Sequence, residues 1–169
     1  VAGYALLGVT WLIYKTEGTL QARCWRWALP LGALVLAFVG VVSIWTPLLN
    51  PGYAERWFSW PAVLYAAPVP LLVAVVAVGY WRAVRGRREL APFLLALALF
   101  VLSYVGLGIS LYPNIVPPSL SIWDAAAPES SLLFLLVGAA VLLPIILGYT
   151  AYAYSVFRGK VTPGSFYHH

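Results

Sequence analysis

Four stretches of this chain run for the length of a membrane-crossing helix with no ionisable side chain other than tyrosine. They are Ala28 to about Leu49, Trp60 to Trp81, Leu90 to Leu111 and Ser131 to Phe157. Crossing a hydrocarbon layer roughly 30 Å thick takes about 20 mostly apolar residues in a helix. Lipid offers no partner for backbone polar groups, so a segment of this kind must satisfy its own, as a helix does. The expected fold is therefore all-α, a polytopic transmembrane helical bundle. A fifth stretch, Val1 to Tyr14, is too short to span alone and reads as the inner end of a helix that begins upstream. Four full spans plus the end of a fifth form one transmembrane domain over residues 1–169. Apolar residues make up 63% of the chain and charged ones 9%, against about 25% charged in a soluble domain.

The net charge is +5, but the cations sit in short runs between apolar stretches and not on one nucleic-acid-binding face. The first loop carries Lys15, Arg23 and Arg26, the second only Arg56, the third Arg82, Arg85, Arg87 and Arg88, and the fourth none. The tail adds Arg158 and Lys160. Loops one and three and the tail thus hold nine lysines and arginines against one in loops two and four. The positive-inside rule places those nine, and the C-terminus, in the cytoplasm. The opening residues Val1-Ala2-Gly3-Tyr4 lie within an apolar run, with no basic region before it and no small-residue cleavage site after it. The chain is expected to be a fragment and not to start with a signal peptide.

Trp25, Trp27, Trp45, Trp57, Trp60, Tyr80 and Trp81 fall near predicted span ends, where amphipathic rings anchor at the interface. Gly18 reads as the C-cap of the first helix, with Lys15 reaching the headgroups. In Pro128-Glu129-Ser130-Ser131 a serine is available to cap the last span, with Glu129 at its positive end. Pro68, Pro70 and Pro144 fall inside predicted spans and are expected to bend them. Ala33 with Ala37, and Gly106 with Gly108, are candidates for close helix approach.

The chemistry is narrowed mainly by what is missing. The chain has no methionine, its histidines are His168 and His169 at the tip of the tail, and Cys24 is placed in a charged loop. Haem needs axial ligands of these types or a tyrosine, and nothing marks out one tyrosine. No haem is expected on side chains of this segment. No Cys/His/Asp/Glu cluster has metal-site spacing, and no glycine-rich phosphate loop occurs. Ser43, Thr46, Ser103, Ser110 and Thr150 are span residues that could relay a proton through water, but each is better explained by an interhelical or i−4 hydrogen bond. Tyr65 and Tyr104 read as packing residues.

The fourth loop, Tyr112 to Pro128, is apolar, has four prolines and carries an isolated acid beside a tryptophan. Proline restricts such a segment to extended or turn conformations. A rigid apolar loop on the outer face suits packing against another protein or along the membrane. Pro117, Pro118, Trp123 and Asp124 are the candidate assembly or interface residues. Asp124 is expected to cap a turn or accept from nearby amides, ahead of acting as a proton exit group.

The loop and two other segments carry a family resemblance. Pro117-Pro118-Ser119-Leu120-Ser121-Ile122-Trp123-Asp124-Ala125-Ala126, then Leu143-Pro144-Ile145-Ile146-Leu147-Gly148-Tyr149-Thr150 and Val156-Phe157-Arg158-Gly159-Lys160-Val161, resemble the C-terminal end of subunit II of cytochrome bd quinol oxidases. Gly8-Val9-Thr10-Trp11-Leu12-Ile13-Tyr14-Lys15-Thr16-Glu17-Gly18 with Leu20-Gln21 is similar to the helix end and loop midway through that subunit. The resemblance covers nearly the whole chain. It implies a non-haem subunit in the prokaryotic cytoplasmic membrane, packed on a subunit I that holds haems b and d and oxidises quinol. The complex would reduce dioxygen with protons from the cytoplasm and generate a proton gradient. This chain would support assembly and proton access and carry no catalytic centre. The resemblance leaves room for a small accessory single-span subunit and places the acids of the proton route in the missing half, so no catalytic residue is carried over. Two alternatives stay open: half of a secondary transporter, whose broken helices would hold a mid-membrane substrate site, and a structural subunit of another membrane complex.

Overall fold

The computed structural model describes residues 1–49, 59–60, 63–116, 119–156 and 159–160. Helices dominate in the order α1 (Ala2–Lys15), α2 (Gly18–Leu49), α3 (Val63–Ala66), α4 (Pro68–Arg85), α5 (Ala91–Leu111) and α6 (Glu129–Val156). A two-stranded antiparallel ribbon of β1 (Asn114–Val116) and β2 (Leu120–Ser121) lies between α5 and α6. Among the described residues, α2, α4, α5 and α6 are each long and apolar enough to cross a membrane. The fold is the all-α, polytopic transmembrane bundle, with a short β ribbon added to it.

The chain divides into two compact units, Val1–Ser110 with Lys160–His169, and Leu111–Gly159. In the first unit the residues that become buried recur at helical spacing. Leu6, Thr10 and Ile13 mark one stripe of α1, and Pro92, Ala96 and Leu99 a matching stripe of α5. Spacings of three and four place such residues on one helix face. With Cys24, Trp25 and Ala28 of α2 and Tyr80 and Val84 of α4 they build the core. The four helices close on one another. α1 turns into α2, Tyr80 of α4 donates its hydroxyl to the Ala28 carbonyl of α2 at 2.7 Å, and the Trp11 ring of α1 packs at a tilt against Phe93 of α5, centroids 5.0 Å apart. A methyl group at Gly79 of α4 would lie 3.5 Å from Leu95 of α5, and one at Gly106 of α5 would lie 3.3 Å from Val69 of α4. Those two contacts fix α4 and α5 as antiparallel neighbours.

Several local expectations change. α2 begins at Gly18, so Arg23, Cys24 and Arg26 lie on a helix and not in a loop. Cys24 is buried in the core. Gly18 does not cap α1: Thr16 does, in extended conformation, with both its N–H and its Oγ1 directed to the Leu12 carbonyl at 2.9 and 2.7 Å. Gly18, at φ +72°, instead opens α2. Pro68 and Pro70 lie where the predicted Trp60–Trp81 span divides: α3 ends at Ala66 and the two prolines open α4. Proline suits the first turn, where its missing N–H has no intrahelical partner. Pro144 does lie within α6, and Pro30 and Pro47 within α2. The serines after Pro128 do not cap α6. They belong to its first turn, and the Pro128 carbonyl accepts from Ser131 and Leu132. Glu129 stands in that first turn, at the positive end of the helix dipole.

Ala33 and Ala37 are both exposed within the chain, so neither marks a close approach between its own described helices. The tight contact is Gly32, where a Cβ would lie 2.5 Å from the Tyr80 ring. Gly106 does meet a neighbour, whereas Gly108 has open space. Tyr80, read as an interfacial anchor, is 2% exposed and serves the core. Trp25 is buried as well, with the Arg87 guanidinium 5.3 Å above its ring. Thr46, Ser103 and Ser110 each donate to the carbonyl four residues back. Trp57 and the Tyr65 side chain lie outside the described residues.

In the second unit, α6 buries none of its side chains among the described residues. A helix apolar all round belongs in a protein core or in lipid.

Candidate functional site

The polar chemistry of the first unit gathers at one end of its core. α1 stops at Lys15, which leaves its last carbonyls without intrahelical donors. Gln21, on the first turn of α2, reaches back and donates Nε2 to the Ile13 carbonyl at 2.9 Å. The same Nε2 donates to Glu89 Oε1 at 3.1 Å. Glu89 sits in the short connection between α4 and α5, so one amide ties together two helix–helix connections.

Lys160 completes the cluster. Its Nζ lies 2.6 Å from Glu89 Oε1 and 3.4 Å from Glu17 Oε1. One ammonium thereby bridges the α1–α2 turn and the α4–α5 connection. Its hydrogen bond holds the Glu89 carboxyl below the ordinary carboxylate range, with a second contribution from Gln21. Reciprocally, the hydrogen bond to Glu89 holds the Lys160 ammonium above the ordinary lysine range. All three charged groups keep partial solvent access. The arrangement is a charged latch, suited to fixing loops and not to carrying a buried proton.

The α4–α5 connection is shaped to deliver Glu89. α4 ends in a Schellman motif in which Arg88 N–H donates to Ala83 O at 3.0 Å and Arg87 N–H to Val84 O at 3.1 Å. The left-handed position of this motif, usually glycine, is held by Arg87 at φ 52°. Its side chain is the one lying over Trp25, which offsets part of the backbone cost through a cation–π contact.

The residues singled out in the sequence lie in the second unit. Asp124 closes a turn with Ser121: the Ser121 hydroxyl donates to Asp124 Oδ2, and the Asp124 N–H donates to Ser121 Oγ at 3.2 Å. Among the described residues the carboxylate accepts from this hydroxyl. Ala125 N–H bonds the Ser121 carbonyl at 3.1 Å and completes the turn. Trp123 is 65% exposed, with its ring edge-on to Tyr112 at 6.2 Å. Pro117 and Pro118 lie outside the described residues, as do Arg56, Arg158, His168 and His169.

Sequence reading passed over Glu89, the acid that organises the latch. The available signal was electrostatic. Glu89 is the one acid within a few residues of Arg82, Arg85, Arg87 and Arg88, a cluster that the charge count groups with the segments of Glu17 and Lys160.

Among the described residues neither histidine nor methionine is present to ligate a haem. The chain has no methionine, no histidine falls among the described residues, and Cys24 is packed among Leu6, Ile13 and Ala28. No group of three His, Cys, Asp or Glu side chains is placed to hold a metal among the described residues.

The fold, with its loops tied together at one end of the first unit, is that of a polytopic helical membrane protein. The family follows from comparison: the model for cytochrome bd terminal oxidase subunit II matches residues 1–157, and the chain belongs to that family. Cytochrome bd-I ubiquinol oxidase subunit 2 of Escherichia coli K12 is 25% identical over 193 aligned residues, covering 92% of this chain and 48% of the relative. The same protein from strains CFT073 and O157:H7 matches with the same figures. The chain spans about half the length of the curated relatives it matches.

Proposed function

We propose that this chain is the C-terminal half of the non-haem membrane subunit of a cytochrome bd quinol oxidase, a complex that oxidises quinol and reduces dioxygen to water. The observation that carries the proposal is the family match across residues 1–157. Haems b and d would belong to subunit I, and this chain would give that subunit a fixed helical surface in the cytoplasmic membrane. Its part in catalysis is support for assembly and for proton access, with no reacting group of its own. Trp123, Asp124, Pro117 and Pro118 would form a rigid apolar contact with a neighbouring surface. The latch of Glu17, Gln21, Glu89 and Lys160 would hold the loop end, which the charge count places at the cytoplasmic face.

The test is co-purification. A tag on the full-length subunit should recover a second, haem-bearing membrane subunit in fixed proportion, with quinol-dependent oxygen uptake. Recovery of the tagged subunit without a haem protein, under conditions that preserve other respiratory complexes, would refute the proposal.

A further inference from the structure

Arg23 and Arg26 stand a turn apart on α2, and with Trp27 and Pro30 they line an open groove of about 580 Å³. Small-molecule clefts span about 300–1,000 Å³. All four residues are exposed, and neither guanidinium forms an ion pair with the described residues. The latch leaves them so, because its carboxylates, Glu17 and Glu89, are both engaged by Lys160.

Below the arginines the same helix face turns apolar. Trp27, Pro30, Leu34 and Phe38 follow at spacings of three and four, and each is exposed within the chain. Trp27 to Phe38 covers about 16 Å at 1.5 Å per residue, the depth of one leaflet of a roughly 30 Å hydrocarbon layer. The pattern is a paired cation, then an interfacial indole, then an apolar track one leaflet long. Two guanidiniums present forked donors that match phosphate oxygens. A ligand complementary to all three parts has a phosphodiester anion at one end and an acyl chain at the other.

We infer that this face of α2 is a binding site for one anionic phospholipid, its phosphate held by Arg23 and Arg26 and an acyl chain lying along Leu34 and Phe38. The site requires α2 to cross a bilayer and is independent of the oxidase proposal. Charge complementarity favours an anionic lipid over a zwitterionic one, and the apolar track favours a lipid over a free phosphate.

The experiment uses the full-length subunit in its complex, delipidated in mild detergent and titrated with brominated phosphatidylglycerol or brominated phosphatidylcholine. The readout is quenching of the Trp27 fluorescence, taken as wild type minus Trp27→Phe. Saturable quenching is expected with the anionic lipid and much weaker quenching with the zwitterionic one, without competition from millimolar inorganic phosphate. Each surface arginine adds roughly 1 kcal/mol toward an anionic lipid, so Arg23→Gln with Arg26→Gln should weaken binding about 30-fold. Arg23→Lys with Arg26→Lys should retain most of it. Equal quenching by the two lipids, displacement by phosphate, an unaltered double glutamine variant, or no Trp27 quenching because protein covers this face would each overturn the inference. The lipid comparison in the wild type decides the matter even if the glutamine variant does not assemble.

Discussion

An alanine at Gly32 would set its Cβ 2.5 Å from Tyr80 Cε1 and 3.2 Å from Cζ. Tyr80 has no free space to retreat into, since it is 2% exposed and its hydroxyl is bound to the Ala28 carbonyl. Overpacking of this kind costs about 1–3 kcal/mol. Displacing the ring also forfeits an interhelical hydrogen bond, on average about 0.6 kcal/mol between membrane helices. Against that, alanine is favoured over glycine in a helix by about 1 kcal/mol. The net expectation for Gly32→Ala is destabilisation by about 0.5–2.5 kcal/mol. In a Tyr80→Ala background the ring and its bond are gone, so the same substitution should be neutral or stabilising by up to about 1 kcal/mol. The assay is a double-mutant cycle on the full-length subunit, unfolded in mixed micelles of increasing denaturing detergent. Coupling of about 2 kcal/mol or more is expected. Equal effects of Gly32→Ala in both backgrounds, within about 0.5 kcal/mol, would refute the packing described for α2 and α4.

Three further outcomes follow from other contacts. The lowered Glu89 and raised Lys160 pKa values give the latch a defined pH window. Its contribution is lost as pH falls through the lowered Glu89 value, and separately as pH rises through the raised Lys160 value. The thermal-midpoint difference between wild type and Lys160→Gln should therefore be small, salt-sensitive and flat around neutrality, and its disappearance near pH 7 would contradict the latch. Arg87→Gly relieves the left-handed backbone and Arg87→Ala does not, while both lose the contact with Trp25, so the alanine variant should be less stable by about 1 kcal/mol; equal stabilities would show the Schellman geometry to be wrong. Asp124→Ala should lower the yield of assembled complex more than turnover per complex, whereas Asp124→Asn, whose amide oxygen still accepts from Ser121, should assemble better. Normal assembly with depressed oxygen uptake in Asp124→Ala would give Asp124 a chemical role instead.

Long uncharged stretches made the helices legible, because an apolar run of that length has few other ways to satisfy its backbone. Helix ends were less legible, because hydropathy marks where lipid begins and not where hydrogen bonding stops. α2 therefore carries Arg23 and Arg26 on its helix while its apolar stretch begins at Ala28. Tyr80 and Trp25 illustrate a second limit. Aromatics near a span end suit either the interface or the core, and only the neighbouring helix, here through Gly32 and Arg87, decides between them. The latch was hidden for a different reason. Gln21, Glu89 and Lys160 are far apart in the chain, each unremarkable locally, and they converge only because α1–α2 and α4–α5 end at the same level. The Ser121–Asp124 turn was nearly readable, since its partners are three residues apart.

Absorption spectroscopy of the full-length subunit, expressed and purified without subunit I, tests most directly whether this half of the molecule serves the oxidase without holding its redox centres. A protein with helical circular dichroism and no Soret band is the expected result. A stoichiometric haem signal that survives purification, and is lost on substitution of a side chain within residues 1–160, would contradict it.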